Sequence, residues 1–182
     1  MIKKLFFILF VTASSYTFSD SYNYFGVGTA KIDDLDGPMI DFGTGEAGGI
    51  ISHGRGYFMS EDGVNINIYT VGLGKSWAGD EADFSLEGGY AHGYVWAGIC
   101  YSGNCYSASE DVGGYYIEAA VRGGDSTGFS YKFSVGQMDL EGSGTIFTAD
   151  LNYNFSEQWG ATLGFVSLDG DNGPNLSIRY NW

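Results

Sequence analysis

Over its C-terminal hundred residues the chain repeats one pattern, in which apolar and polar side chains exchange places at every step. Phe84, Leu86 and Tyr90 oppose Ser85 and Glu87; Tyr115, Ile117, Ala119 and Val121 oppose Tyr116, Glu118, Ala120 and Arg122. Phe129, Tyr131, Phe133 and Val135 oppose Ser130, Lys132 and Ser134, and Phe147, Ala149, Leu151, Tyr153 and Phe155 oppose Thr148, Asp150, Asn152 and Asn154. Leu176, Ile178, Tyr180 and Trp182 close the chain against Asn175, Ser177, Arg179 and Asn181. A period of two is the signature of a strand, whose successive side chains point to opposite faces. The pattern predicts ten strands, near 21–31, 47–58, 63–75, 83–91, 94–101, 111–123, 127–138, 144–155, 159–168 and 174–182. The tight turn this requires at 92–93 is the step on which the count rests. Without it 84–101 is one long strand, and the alternative is eight strands, with another pair near 31–50 left as loop.

Charged residues keep to one phase of these strands. Arg55, Glu87, Glu118, Arg122, Lys132, Asp150 and Arg179 all fall on the polar side. A soluble sandwich would turn that side to solvent, whereas a membrane barrel turns the oily side to lipid and the polar side to its lumen. Three features select the second arrangement. The aromatic residues Tyr153, Phe155, Trp159, Tyr180 and Trp182 gather at the ends of the oily phase, as in an interfacial girdle. The polar phase is small side chains with few charges, and the links alternate short and long. The fold class expected is therefore all-β, an antiparallel up-and-down transmembrane β-barrel.

The beginning of the chain agrees. Met1-Ile2-Lys3-Lys4 is a basic head and Leu5 to Val11 an apolar run, followed by small polar residues, which reads as a secretory signal peptide over 1–19. The run is far shorter than the roughly 20 residues of a spanning helix. Residues 20–182 then form a single domain. Removing Lys3 and Lys4 leaves six basic residues against 22 acids, a net charge of −16, so nucleic acid is excluded as a partner. An even strand count puts both termini on one side. The links at 59–62, 92–93, 124–126 and 156–158 are expected on that side. The other five are external and carry Asp33, Asp34, Asp36, Asp41, Glu46, Asp80, Glu81, Asp83, Glu110, Asp111, Asp139, Glu141, Asp169 and Asp171.

The leader, the opening Ser21-Tyr22-Asn23-Tyr24-Phe25-Gly26-Val27-Gly28, the strand Gly113 to Arg122 and the closing Leu176 to Trp182 together resemble a small Gram-negative outer-membrane β-barrel protein of the porin-like, OmpA-like superfamily. The resemblance implies a location in the cell outer membrane, contact with its lipid, and periplasmic termini. It also implies that Leu176, Ile178, Tyr180 and Trp182 are the signal read by the barrel assembly machinery, with Trp182 standing where phenylalanine is usual. A peptidoglycan-binding domain after the barrel, and the cell-wall tether it would provide, are not expected. The protein is expected to be a monomer.

Candidate chemistry is sparse. Cys100 and Cys105 flank four residues in an external loop of an exported chain, which points to a disulfide rather than a metal site. His53 and His92 are the only histidines, and with Ser52 and Ser85 they do not show the spacing of a catalytic triad. Asp33, Asp34 and Asp36 lack the full spacing and the distal glutamate of a calcium loop. No cofactor or catalytic role is expected. The seven polar-phase charges are expected to pair within a narrow lumen and fill it, unlike a diffusion porin of roughly 16 strands. The resulting reading is a non-enzymatic barrel with acidic external loops, serving envelope structure or surface interaction. The alternatives are a narrow channel for small solutes or ions and, third, a lipid-modifying barrel enzyme.

Overall fold

The computed structural model describes residues 22–182, except 102, 103, 126 and 141 and the side chains of 99, 101 and 104. The expected leader, 1–19, lies outside the described residues. Ten antiparallel strands follow one another round a closed barrel: β1 (Tyr24–Ile32), β2 (Leu35–Gly45), β3 (Ile50–Glu61), β4 (Val64–Trp77), β5 (Asp83–Tyr101), β6 (Asn104–Gly124), β7 (Gly128–Asp139), β8 (Ser143–Asn154), β9 (Trp159–Leu168) and β10 (Asp171–Asn181). β1 closes on β10 through seven register pairs, from Tyr24 with Asn181 to Ala30 with Asn175.

The count of ten holds, yet two of the strands differ from those expected. β5 is continuous through His92 and Gly93, pairing there with Tyr69 and Ile68 of β4 and with Gly113 and Val112 of β6, so no turn exists at 92–93. The missing strand is β2, inside the expected 32–46 loop. Its pattern is masked by Asp36, Gly37, Pro38 and Asp41, because a proline reads against a central strand. The barrel tolerates Pro38 by interrupting one ladder: β2 pairs continuously with β1 through Pro38 and Thr29, but its pairing with β3 skips residues 37 and 38. Gly37 lets the backbones approach there, since a Cβ on it would lie 2.0 Å from the Phe58 carbonyl oxygen.

These two shifts move some links to the other mouth. The start of β1 and the end of β10 share one end of the barrel with the β2–β3, β4–β5, β6–β7 and β8–β9 connections; the far end carries the β1–β2, β3–β4, β5–β6, β7–β8 and β9–β10 connections. The 59–62 turn expected beside the termini is thus a far-end hairpin. The 76–82 link expected far from the termini lies beside them, with Asp80, Glu81 and Asp83. Far-end links are also shorter than expected. Asp62-Gly63 and Asp169-Gly170 both have positive φ, 44° with 85° and 52° with 101°, as a two-residue hairpin of the twist-matched type requires. What projects at the far end is the β5–β6 hairpin, joined near its tip by the Cys100–Cys105 disulfide.

The faces are sorted as a membrane barrel needs. Leu151, Leu163 and Leu176 stand in register on the outside of β8, β9 and β10, all exposed, and Phe25, Leu73, Phe84 and Ile117 continue that belt. An exterior of this kind is unstable in water and matches hydrocarbon. Aromatic residues rim the near end, where Trp159 packs edge-on to Tyr180 at 5.1 Å and Phe129 meets Tyr153 at 4.8 Å. The other phase of every strand fills the interior.

Candidate functional site: the lumen

Register fixes what meets inside. Starting from Tyr24, the inward phase passes through Gly43 and Asp41 of β2 to His53 and Arg55 of β3, then round the wall to Glu87, Glu118, Lys132, Asp150, Asn175 and Arg179. All seven charges expected in the lumen, Arg55, Glu87, Glu118, Arg122, Lys132, Asp150 and Arg179, are buried there.

The interior is built in three layers along the barrel axis. The middle layer is ionic. His53 sits between two carboxylates, with Nε2 2.9 Å from Asp41 Oδ1 and Nδ1 3.0 Å from Glu87 Oε1. Arg55 reaches Asp41 at 3.3 Å and Asp150 at 3.6 Å, and Lys132 lies 3.4 Å from Glu118. The Arg55–Asp150 contact joins β3 to β8, which are five strands apart in either direction round the wall. It therefore bridges the full diameter and closes the lumen at that level. Small cavities lie on both sides of it, one lined by Tyr24, Arg122, Lys132 and Arg179 and the other by Tyr57, Tyr116, Glu118 and Met138.

Toward the termini the lumen is capped by stacked cations. The Arg122 guanidinium lies 4.1 Å from the centre of the Tyr22 ring, and that of Arg179 lies 4.1 Å from the Tyr24 ring. Such contacts gain when they are desolvated. Tyr22 also donates to Asp83 Oδ2 at 3.3 Å, and Arg179 Nε to Asn181 at 2.6 Å. Because β1 and β6 face each other across the barrel, the Tyr22–Arg122 contact spans this mouth too.

Toward the far end the lining turns apolar. Ile32, Met39, Tyr57, Met59 and Val166 form one buried cluster, and Ala91, Tyr116 and Ile146 a second, with Leu168 packed against both. This layer was not expected from the sequence, which suggested a charged filling alone. Its signal is present in the inward phase of β1 to β3, where Ala30, Ile32, Met39, Tyr57 and Met59 continue the positions that carry Tyr24, Asp41, His53 and Arg55 nearer the termini.

Two of the lumen groups lie away from the places expected for them. Asp41 and Asp83, expected in external loops, are inward side chains, and His53 is a member of the ionic layer. Of the residues weighed for a triad, Ser85 is a buried inward side chain of β5 on the same face as Glu87. Ser52 is on the outward phase of β3, both ring nitrogens of His53 face carboxylates, and His92 sits on the outer wall 3.6 Å from Asp111. Asp33 and Asp34 form a two-residue hairpin rather than an ion-binding loop. Exposed acids crowd the far rim, with Asp33, Asp34, Asp36, Glu61, Asp62, Asp169 and Asp171 among them, while Glu46 lies at the near end. At the C-terminus, Leu176, Ile178, Tyr180 and Trp182 face outward in a row.

Comparison with solved structures places this architecture. A KdgM porin aligns with 87% of the chain and 99% of its own, at 10% identity and a TM-score of 0.50. The fold is that of a small porin-like outer-membrane barrel. A KdgM porin in complex with disordered oligogalacturonate aligns over 87% of this chain and 99% of its own at 7% identity and a TM-score of 0.47. A NanC porin in a rhombohedral crystal form aligns over 88% and 99% at 8% and 0.41. No protein-family description and no curated protein matches the chain. At these identities the likeness of the porin-like barrel to its neighbours is one of fold.

Proposed function

We propose that this porin-like barrel lies in the outer membrane, with its termini on the periplasmic side, and forms a narrow passage for small solutes or ions that the structure captures shut. The observation that carries the reading is the ionic layer bridged by Arg55 and Asp150 between two cavities. Apolar side chains of similar volume would fill a lumen at least as stably, since buried ion pairs commonly contribute less than a well-packed apolar replacement. Retaining so many ionisable groups inside fits a wall that polar species must cross. The apolar layer beyond it suits a hydrophobic gate, which blocks ions by excluding water until it widens. Met39 and Met59 are unbranched side chains that repack readily. No catalytic step is part of this reading. Lipid around the apolar belt and the barrel assembly machinery acting on Leu176 to Trp182 are the partners it implies.

Ion flux from proteoliposomes tests it. The parent should leak slowly, and Met59→Ser, which wets the apolar layer, should leak at least about tenfold faster while still migrating as a folded barrel on unheated gels. Folded Met59→Ser as tight as empty vesicles would overturn the passage. The specific observation favouring a second reading is the same apolar layer, with Val166 wholly buried in it. It suits a permanently filled barrel that serves envelope structure or surface interaction through its acidic rim.

A further inference from the structure

One part of the ionic layer is unusual for a filled lumen. Glu87 of β5 and Glu118 of β6 are direct cross-strand partners, both about 95% buried, so two carboxylates of like charge face the interior side by side. Like charges directly opposite each other destabilise a sheet, and burial sharpens the cost. Lys132 Nζ answers part of it as an ion pair 3.4 Å from Glu118 Oε1, but no donor is aligned to hydrogen-bond that buried oxygen. His53 approaches the same spot from β3. It can do so because the intervening strand β4 presents Gly72 and Gly74 to the lumen, and a Cβ on Gly74 would lie 2.6 Å from Glu87 Cβ. The ligand atoms of His53, Glu87 and Glu118 consequently all lie within 4.8 Å of one another.

We infer that His53, Glu87 and Glu118 bind one divalent transition-metal ion of the zinc class in the wall of the lumen. One imidazole nitrogen and two carboxylates make a donor set suited to zinc, cobalt or manganese, whereas magnesium and calcium prefer oxygen alone. His53 Nδ1 faces the carboxylates while Nε2 is held 2.9 Å from Asp41, the arrangement in which a ligating histidine donates its other N–H to an outer carboxylate. A small cavity touching His53 and Glu118 leaves room for a water in a remaining coordination position. Lys132, displaced from Glu118, has Asp150 directly across the β7–β8 ladder as its next partner.

The test is calorimetric titration of zinc chloride into the chelator-treated, folded full-length barrel in detergent, with magnesium chloride as the control. The expected result is one zinc per barrel and no comparable magnesium step. Glu118→Gln and His53→Ala should abolish that step, Asp41→Asn should weaken it about 10- to 100-fold, and the rim variant Asp33→Asn/Asp34→Asn should leave it unchanged. Absence of zinc binding, or binding lost in the rim variant and kept in Glu118→Gln, overturns the site. If the lumen variants do not fold, X-ray absorption of the zinc-loaded parent decides: imidazole scattering from a mixed nitrogen and oxygen shell supports the site, and an all-oxygen shell refutes it.

Discussion

Replacing Arg55 with Ala is the sharpest perturbation of the lumen. The guanidinium touches Asp41 at 3.3 Å and Asp150 at 3.6 Å, and the two carboxylate side chains are only 16% and 8% exposed. Removing the cation leaves both acids buried without it, a loss on the order of 3 to 5 kcal/mol in a dry interior. Water in the flanking cavities moves the expectation to the lower end, about 3 kcal/mol, or somewhat more than a hundredfold in the folded-to-unfolded ratio. Denaturant unfolding from lipid vesicles, followed by tryptophan fluorescence and by the gel shift of the unheated barrel, measures it. A double-mutant cycle isolates the bridge. Asp150→Ala alone should also destabilise, and the double variant should lose less than the sum of the two by about 1 to 3 kcal/mol. An Arg55→Ala barrel within about 0.5 kcal/mol of the parent, with additive losses in the double variant, would refute the cross-lumen bridge.

Leu163, outward at mid-strand and 61% exposed, should cost about 2 to 4 kcal/mol when changed to Arg if it faces the bilayer midplane, and almost nothing if the belt faces water; the same unfolding assay reads the difference. Deleting Trp182, which follows the last strand and is 61% exposed, should lower the yield of inserted barrel far more than deleting one residue of the 140–142 link, and equal yields on unheated gels would contradict the role given to the last strand. Arg122→Ala should lose about 1 to 2 kcal/mol with its stacking on Tyr22, and the double variant with Tyr22→Ala should lose less than the sum of the two single losses. Reducing the Cys100–Cys105 disulfide should speed amide exchange only near the tip of the β5–β6 hairpin, because that tip lies beyond the last β4–β5 pair at Val64 and Ala97; faster exchange in the barrel wall would contradict this.

Most of the fold is legible in the alternation of β6 to β10, where the near-end and middle inward positions are polar or small and the outward ones facing the belt are apolar. The seven buried charges follow from that parity alone, because a side chain's phase decides its face. What is not legible follows from local chemistry that breaks the pattern. In β2, Gly37, Pro38 and Asp41 look like loop, and the strand survives because one ladder is interrupted and Asp41 finds Arg55 and His53 on the neighbouring strand β3. In β5, Ala91-His92-Gly93 looks like a turn, yet the small inward residues Ala91 and Gly93 keep the strand continuous where Tyr116 and Leu140 fill the interior. Pairwise contacts across the diameter, such as Arg55 with Asp150, depend on the number of strands, and no local pattern carries them.

Single-channel recording in planar bilayers from the folded Arg55→Ala/Met59→Ser variant, beside the parent, tests the passage most directly. The parent should show rare, brief openings and the variant, in which both the ionic bridge and the apolar layer are relieved, sustained conductance. A correctly inserted variant as silent as the parent would contradict the passage and leave a permanently filled barrel.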